Sequence, residues 1–193
     1  MRPAYRFPAW FACNWSRTGL PLAVGFLLLS PLLFRALGLA TWLAFLLLPV
    51  YMIHQYEEHA HGAFKAEIVR MLPGVAPTID RVILVVNILG VWVVYTLVVY
   101  LAYYLHGAIG LVAAYIAVAN GLLHIGIALK QRRYNPGLGT GVSLFLPVGG
   151  YAIVAISRSA HATIGDQALG IGAAILLHAL TFLAIGLAAR GNR

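Results

Sequence analysis

The 193-residue chain predicts an all-α polytopic membrane protein, a bundle of about six transmembrane helices with both termini cytoplasmic. Three observations carry that expectation. Charged residues are only 9% and mean hydropathy is +0.88, outside the range of soluble domains. Apolar stretches recur at 20–34, 39–57, 81–104, 108–129, 137–157 and 167–189, and five of them approach or exceed the ~20 residues that cross a bilayer. The 13 lysines and arginines sit at segment ends, and six crossings put eleven of them on the side of the termini and two on the other. That asymmetry is what the positive-inside rule requires.

The first stretch is short and interrupted by Pro31. Were it not to cross, Arg35 would join the N-terminal charges and four positive residues would face the wrong side, so it is read as a crossing. A cleaved signal peptide is the rival reading of this region, since a basic stretch precedes an apolar one. Arg35 after the apolar run and the aromatic leader (Tyr5, Phe7, Trp10, Phe11, Trp15) argue instead for a headgroup-level anchor. Residues 1–38 are thus one unit, an anchor plus first segment, and 39–193 the main helical domain. The second stretch ends in a run of histidines and glutamates. The 62–80 connection, with Phe64, Ile68, Met71 and Leu72 among Lys65, Glu67 and Arg70, reads as an amphipathic surface helix. In the third stretch Tyr95, Tyr100, Tyr103 and Tyr104 read as packing and interface belt. Pro136 suits the start of the fifth helix. His178 in the sixth reads as structural.

Composition also excludes. One cysteine, Cys13, permits neither an internal disulfide nor a thiolate metal cage. The +8 charge is read as topology and attraction to anionic membrane lipids, not nucleic-acid binding. An integral membrane location is expected, and oligomeric state is left open.

The most informative run is His54-Gln55-Tyr56-Glu57-Glu58-His59-Ala60-His61, which contains two of the five acidic residues. On a helix His54, Glu57, Glu58 and His61 share one face, while His59 points to another. Carboxylates are costly within a bilayer, so the stripe points to water access or to function. Helix rise places His54, Asn87 and His124 at a similar depth, roughly 10 Å inside the cytoplasmic boundary. Asn120 lies one turn from His124 on the same face. Three helices therefore bring polar groups to one level.

The run His54-x-x-Glu57-Glu58, then Asn120-x-x-x-His124, then Tyr134-Asn135-Pro136-Gly137-Leu138-x-Thr140 resembles the HXXEE family of small membrane proteins, over about residues 40–157. The resemblance implies that these positions form a polar centre and that the chain belongs to a bacterial inner membrane; it supplies no reaction. Imidazole and carboxylate without thiolate suit zinc, iron or manganese. His54, Glu58 and His124 are the candidate metal ligands, with His61 and Asn87 as possible additions. Glu57 is the candidate general base and Asn120 a candidate substrate contact or orienter of His124. A divalent ion, iron or zinc, acting on a lipidic or otherwise apolar substrate by hydrolysis or oxidation is the expected chemistry. A ferritin-like di-iron site lacks its carboxylates, and no His-Glu-x-x-His run is present. A metal-free acid–base isomerase and a proton-coupled carrier are the alternatives. Helix N-terminal amides and Thr140 beside Lys130, Arg132 and Arg133 form a candidate lipid-phosphate contact.

Overall fold

The computed structural model describes residues 7–190, with side chains from residue 10 onward. Arg2, Tyr5, Arg6, Arg193 and the Phe7 side chain, which entered the topology and anchor arguments, lie outside the described residues. No strand occurs among the described residues. The helices are α1 (Phe7–His59), α2 (Ala63–Met71), α3 (Ile79–Tyr104), α4 (Gly107–Gln131), α5 (Leu138–Ser159) and α6 (Ile164–Arg190). All but the short α2 are long and apolar enough to cross a membrane.

Helix α1 is too long for one crossing, and it is not one rod. At Gly38 the backbone takes φ 69° and ψ 166°, a combination that glycine reaches without strain. The limbs 7–37 and 39–59 then return antiparallel. Trp42 Nε1 donates to the Ser30 carbonyl at 2.9 Å, the Phe26 and Phe45 rings lie 5.9 Å apart, and Trp15 packs on His59 at 5.1 Å. The first limb thus lies against the second along its length, and Arg17 donates to the Ala60 carbonyl at its far end, where a cation complements helix C-terminal carbonyls. Trp15 is buried and, with Phe11, edges Trp92 of α3, while Trp10 stays exposed.

Helix α4 is the axle of the bundle. Its buried face is mostly small, with Ala113, Ala114, Ala117 and Gly121, and small side chains let helices approach closely where lipid supplies no hydrophobic drive. A Cβ on Gly121 would stand 3.0 Å from the Gly141 carbonyl oxygen of α5, so α4 and α5 touch backbone to backbone there. Tyr95 Oη donates to the Ala113 carbonyl at 3.0 Å, tying α3 to α4. Tyr115 Oη donates to Gln167, which donates to Ser157, joining α4, α6 and α5. As the tyrosine reading expected, Tyr95 is packed and Tyr100, Tyr103 and Tyr104 are exposed.

Helix α2 has the amphipathic character read from its sequence. Ile68 is buried in a second small core with Trp15, Val75, Ile79 and Ile83, while Lys65 pairs with Asp80 at 2.6 Å and Glu67 with Arg70 and Arg133. Many large apolar side chains face outward, among them Leu28, Leu32, Leu129, Ile164 and Leu176. A surface so apolar needs an apolar surrounding.

Two stretches widen into i→i+5 turns, Ile88–Val93 in α3 and Gly141–Gly149 in α5. The second contains Pro147, which has no N–H to donate and disturbs the α ladder. Such wide turns recur beside functional sites, and this one carries the fully buried Phe145 against the site described next.

Candidate functional site

Three of the sequence-predicted residues meet. His54 of α1, Glu58 one turn on, and His124 of α4 are all buried, and each offers a ligand atom within 4.8 Å of the others. His54 Nε2 stands 3.6 Å from Glu58 Oε2 and His124 Nε2 3.7 Å from Glu58 Oε1. The two imidazole centroids are 5.0 Å apart. Phe145 covers His54 at 4.4 Å, and Tyr51 meets its edge at 5.6 Å.

Hydrogen bonding assigns the tautomers. The Thr140 hydroxyl has one proton, which it gives to the Glu57 carboxylate, an acceptor only. Its oxygen, 2.8 Å from His54 Nδ1, must therefore accept, so Nδ1 carries the His54 proton. For His124, the Asn135 amide nitrogen donates to the His124 carbonyl at 2.9 Å. The Asn135 oxygen consequently faces His124 Nδ1 at 2.6 Å, and that nitrogen carries the proton. In the neutral form of each ring, Nε2 is then the unprotonated nitrogen and faces the same carboxylate, and His54 Nε2 has no hydrogen-bond partner. Two ring nitrogens and two carboxylate oxygens converge at 3.6 and 3.7 Å, beyond hydrogen-bond distance. Such a set can hold a cation, and ring N–H groups held by outer partners are how metal-binding histidines are commonly fixed.

The segment Tyr134–Thr140 holds this arrangement, and each of its special residues has a task. Asn135 orients His124. Thr140 orients His54. Gly137 has φ 97°, and a Cβ there would stand 2.6 Å from His124 Cε1 and 2.8 Å from His54 Cε1; its hydrogen fills the gap between the rings. Glu57 accepts from the backbone N–H groups of Gly137, Gly139 and Thr140 at 3.2, 3.0 and 2.7 Å and from the Tyr134 hydroxyl. The Tyr134 phenol is pushed up to about 12 by partial desolvation and by the Glu57 carboxylate it donates to.

Several expectations change. Glu57 was expected as the base, yet its oxygens are taken up by the start of α5, where an anion is favoured by exposed amides and the helix dipole. The lipid-phosphate reading of that N-terminus changes for the same reason: its anion is Glu57. Thr140 faces Glu57 and His54 rather than a headgroup, and Arg133 pairs with Glu67 and Gln131. Lys130 and Arg132 are exposed. His61 lies beyond the helix end, exposed, against Tyr56, because Gly62 turns the chain with φ 70°. Asn87 is not brought to the cluster either. Its oxygen accepts from Gln55 at 2.9 Å, and Gln55 accepts from Trp92 at 2.7 Å, an interhelical amide link. Asn120 bonds Tyr51 at 2.8 Å instead of orienting His124.

Sequence reasoning missed four contributors. His59, expected on another face, has Nε2 3.0 Å from Glu58 Oε2, because Trp15 and Phe64 press its ring inward. Gln55 and Tyr51 were legible only as polar or aromatic residues near a motif, and Asn135 as a member of the third motif with no task of its own. Beside the cluster lies a cavity of about 180 Å³, with Glu58, His59, Asn120 and His124 at its polar part and apolar side chains of α2, α3 and α6 around the rest. His178 lines it too, and its Nδ1 donates to the Ala174 carbonyl at 2.7 Å.

No curated protein and no solved structure matches the chain. A family model described as "Protein of unknown function with HXXEE motif" matches residues 45–152, which takes in His54, Glu58, His124 and the Tyr134–Thr140 clamp but neither the first limb of α1 nor α6. By that match over more than half its length, the chain belongs to the HXXEE-motif family.

Proposed function

We propose that this protein is an integral membrane enzyme in which His54, Glu58 and His124 hold one divalent metal ion, zinc or iron, and that its substrate is an apolar or lipidic molecule. The carrying observation is the convergence of two ring nitrogens, each on a ring held through Nδ1 by an outer partner, on one buried carboxylate. In neutral rings the two Nε2 lone pairs and the buried carboxylate repel one another, and a cation between them relieves that. Two histidines and one carboxylate leave a coordination position for water or substrate. A bound ion would supply Lewis-acid or redox chemistry. The residues around it have their own tasks: Asn135 and Thr140 orient the rings, Glu57 secures the start of α5, and the apolar cavity excludes water.

The lipidic substrate is supported by the apolar lining of the cavity, two of whose side chains, Leu123 of α4 and Phe182 of α6, are also exposed, at 36% and 58%, on the apolar exterior. We further propose six crossings, α1 supplying two, with both termini cytoplasmic and the protein in a bacterial inner membrane. The folded-back limbs of α1 and the charge asymmetry support that topology.

A metal-free acid–base enzyme is the second reading, favoured by His59, whose protonated ring beside Glu58 would also compensate the carboxylate. Elemental analysis of protein purified without a histidine tag separates the two. The metal reading expects about one zinc or iron per chain, lost in His124→Ala and Glu58→Gln. Metal-free wild-type protein, or full occupancy in both variants, would refute it.

A further inference from the structure

Tyr51 and Asn120 lie one helical turn deeper than His54 and His124 respectively, and both line the cavity. Their mutual hydrogen bond at 2.8 Å leaves the pair short of acceptors. If the Asn120 nitrogen donates, the second amide hydrogen and the Tyr51 hydroxyl hydrogen remain, and Asn120 Oδ1 is buried without a partner. If the amide is turned over, Tyr51 donates to the oxygen and both amide hydrogens remain. Either orientation leaves two donor hydrogens unused. Tyr51 is 4% exposed, so water does not serve it freely, and unserved buried donors are costly.

No other polar side chain lining the cavity bonds this pair: Glu58 faces the histidines, Asn87 is engaged with Gln55 and Ile83, and His178 and Thr181 bond the carbonyls of Ala174 and Leu177 on their own helix. We propose that Tyr51 and Asn120 are the substrate-recognition pair of this site, and that they take the carbonyl oxygen of an acyl chain whose apolar part fills the cavity. This rests on the membrane-enzyme reading above for the site's purpose, but not on a metal being bound. Donors placed beside a cluster of lone pairs suit a carbonyl, which brings an acceptor to the pair and its carbon toward the cluster. A hydrocarbon brings no acceptor. The acyl group has two sources, an ester or a free acid, and both offer the same oxygen.

The test uses full-length protein in detergent with two probes, methyl decanoate and decanoic acid, each labelled with ¹³C at the carbonyl, and undecane as the oxygen-free control. Isotope-edited infrared spectra of wild-type protein should show a downshifted carbonyl band for at least one probe, the one that does so naming the source. Tyr51→Phe and Asn120→Leu should each lose the downshift and weaken that probe by about five- to tenfold. Undecane affinity and metal content should stay unchanged. The proposal is overturned if neither probe binds, if the bound carbonyl is unshifted in wild type, or if the shift survives in both variants. The wild-type spectrum decides even if a variant fails to fold. A downshift in protein that contains no metal would remove the metal reading and leave this one standing, while full metal content without a downshift does the reverse.

Discussion

Gly137→Ala is the sharpest perturbation this structure suggests, because one added methyl tests both the backbone and the site. The φ of 97° puts the residue where an L side chain is strained, at about 1–2 kcal/mol. The new Cβ would also stand 2.6 Å from His124 Cε1, 2.8 Å from His124 Nε2 and 2.8 Å from His54 Cε1. Neither ring can simply swing away, since each is held through Nδ1 by Asn135 or Thr140. Overpacking of this kind costs about 1–3 kcal/mol more, for a total of about 2–5. Gly62→Ala supplies the internal control: its φ is 70°, yet nothing lies within 4 Å of an added Cβ, so only the backbone contribution applies. Both variants would be unfolded by denaturant titration in the same mixed micelles and followed by circular dichroism. Gly137→Ala should be the less stable by about 1–3 kcal/mol and should lose bound metal. If the two variants agree within about 0.5 kcal/mol, the glycine is not the spacer between the imidazoles and the account of the clamp fails.

Glu57→Gln should destabilise the protein by about 2 kcal/mol, because a charged acceptor of helix N-terminal amides becomes a neutral amide, while metal content stays near wild type; unchanged stability with lost turnover would return Glu57 to the role of base. Gln55→Leu should cost about 1–3 kcal/mol by orphaning Asn87 and Trp92. Adding Asn87→Leu should recover part of that loss in a double-mutant cycle, and strict additivity would dissolve the proposed amide link. For Tyr134 the folded phenol titrates near 12 against an ordinary 10.0, so its contribution to stability is complete below pH 10 and disappears as pH rises through about 12. The difference in ultraviolet phenolate absorbance between wild type and Tyr134→Phe checks it, and ionisation near pH 10 counts against the Glu57 contact. In a chain with Cys13 replaced, cysteines at positions 65 and 106 should label from opposite sides of a sealed vesicle; labelling of both from one side rules out the six-crossing topology.

Much of the architecture was legible in the sequence, because the bilayer sets a length and a polarity that few stretches meet. The apolar runs and the amphipathic 62–80 connection were readable residue by residue, since each depends on local composition and period, whereas which of the four α3 tyrosines packs, Tyr95, was not. Helix rise alone put His54 and His124 at one depth, and they met. What the sequence could not carry was direction. Glu57 and Glu58 are adjacent and alike, yet 100° of helical rotation turns one to the start of α5 and the other to the two imidazoles. His59 was assigned to another face by the same rotation, and only the packing of Trp15 and Phe64 reveals that its ring reaches back to Glu58. The tautomers of His54 and His124 were set by Thr140 and Asn135, residues 86 and 11 positions away. The break between the first two crossings was placed at 35–38 by the apolar pattern, but that Gly38 makes it, with φ 69° and no loop, is seen only in the structure. Periodicity belongs to a segment and is visible within it, whereas a hydrogen bond between segments exists only once packing has chosen which side chains face each other.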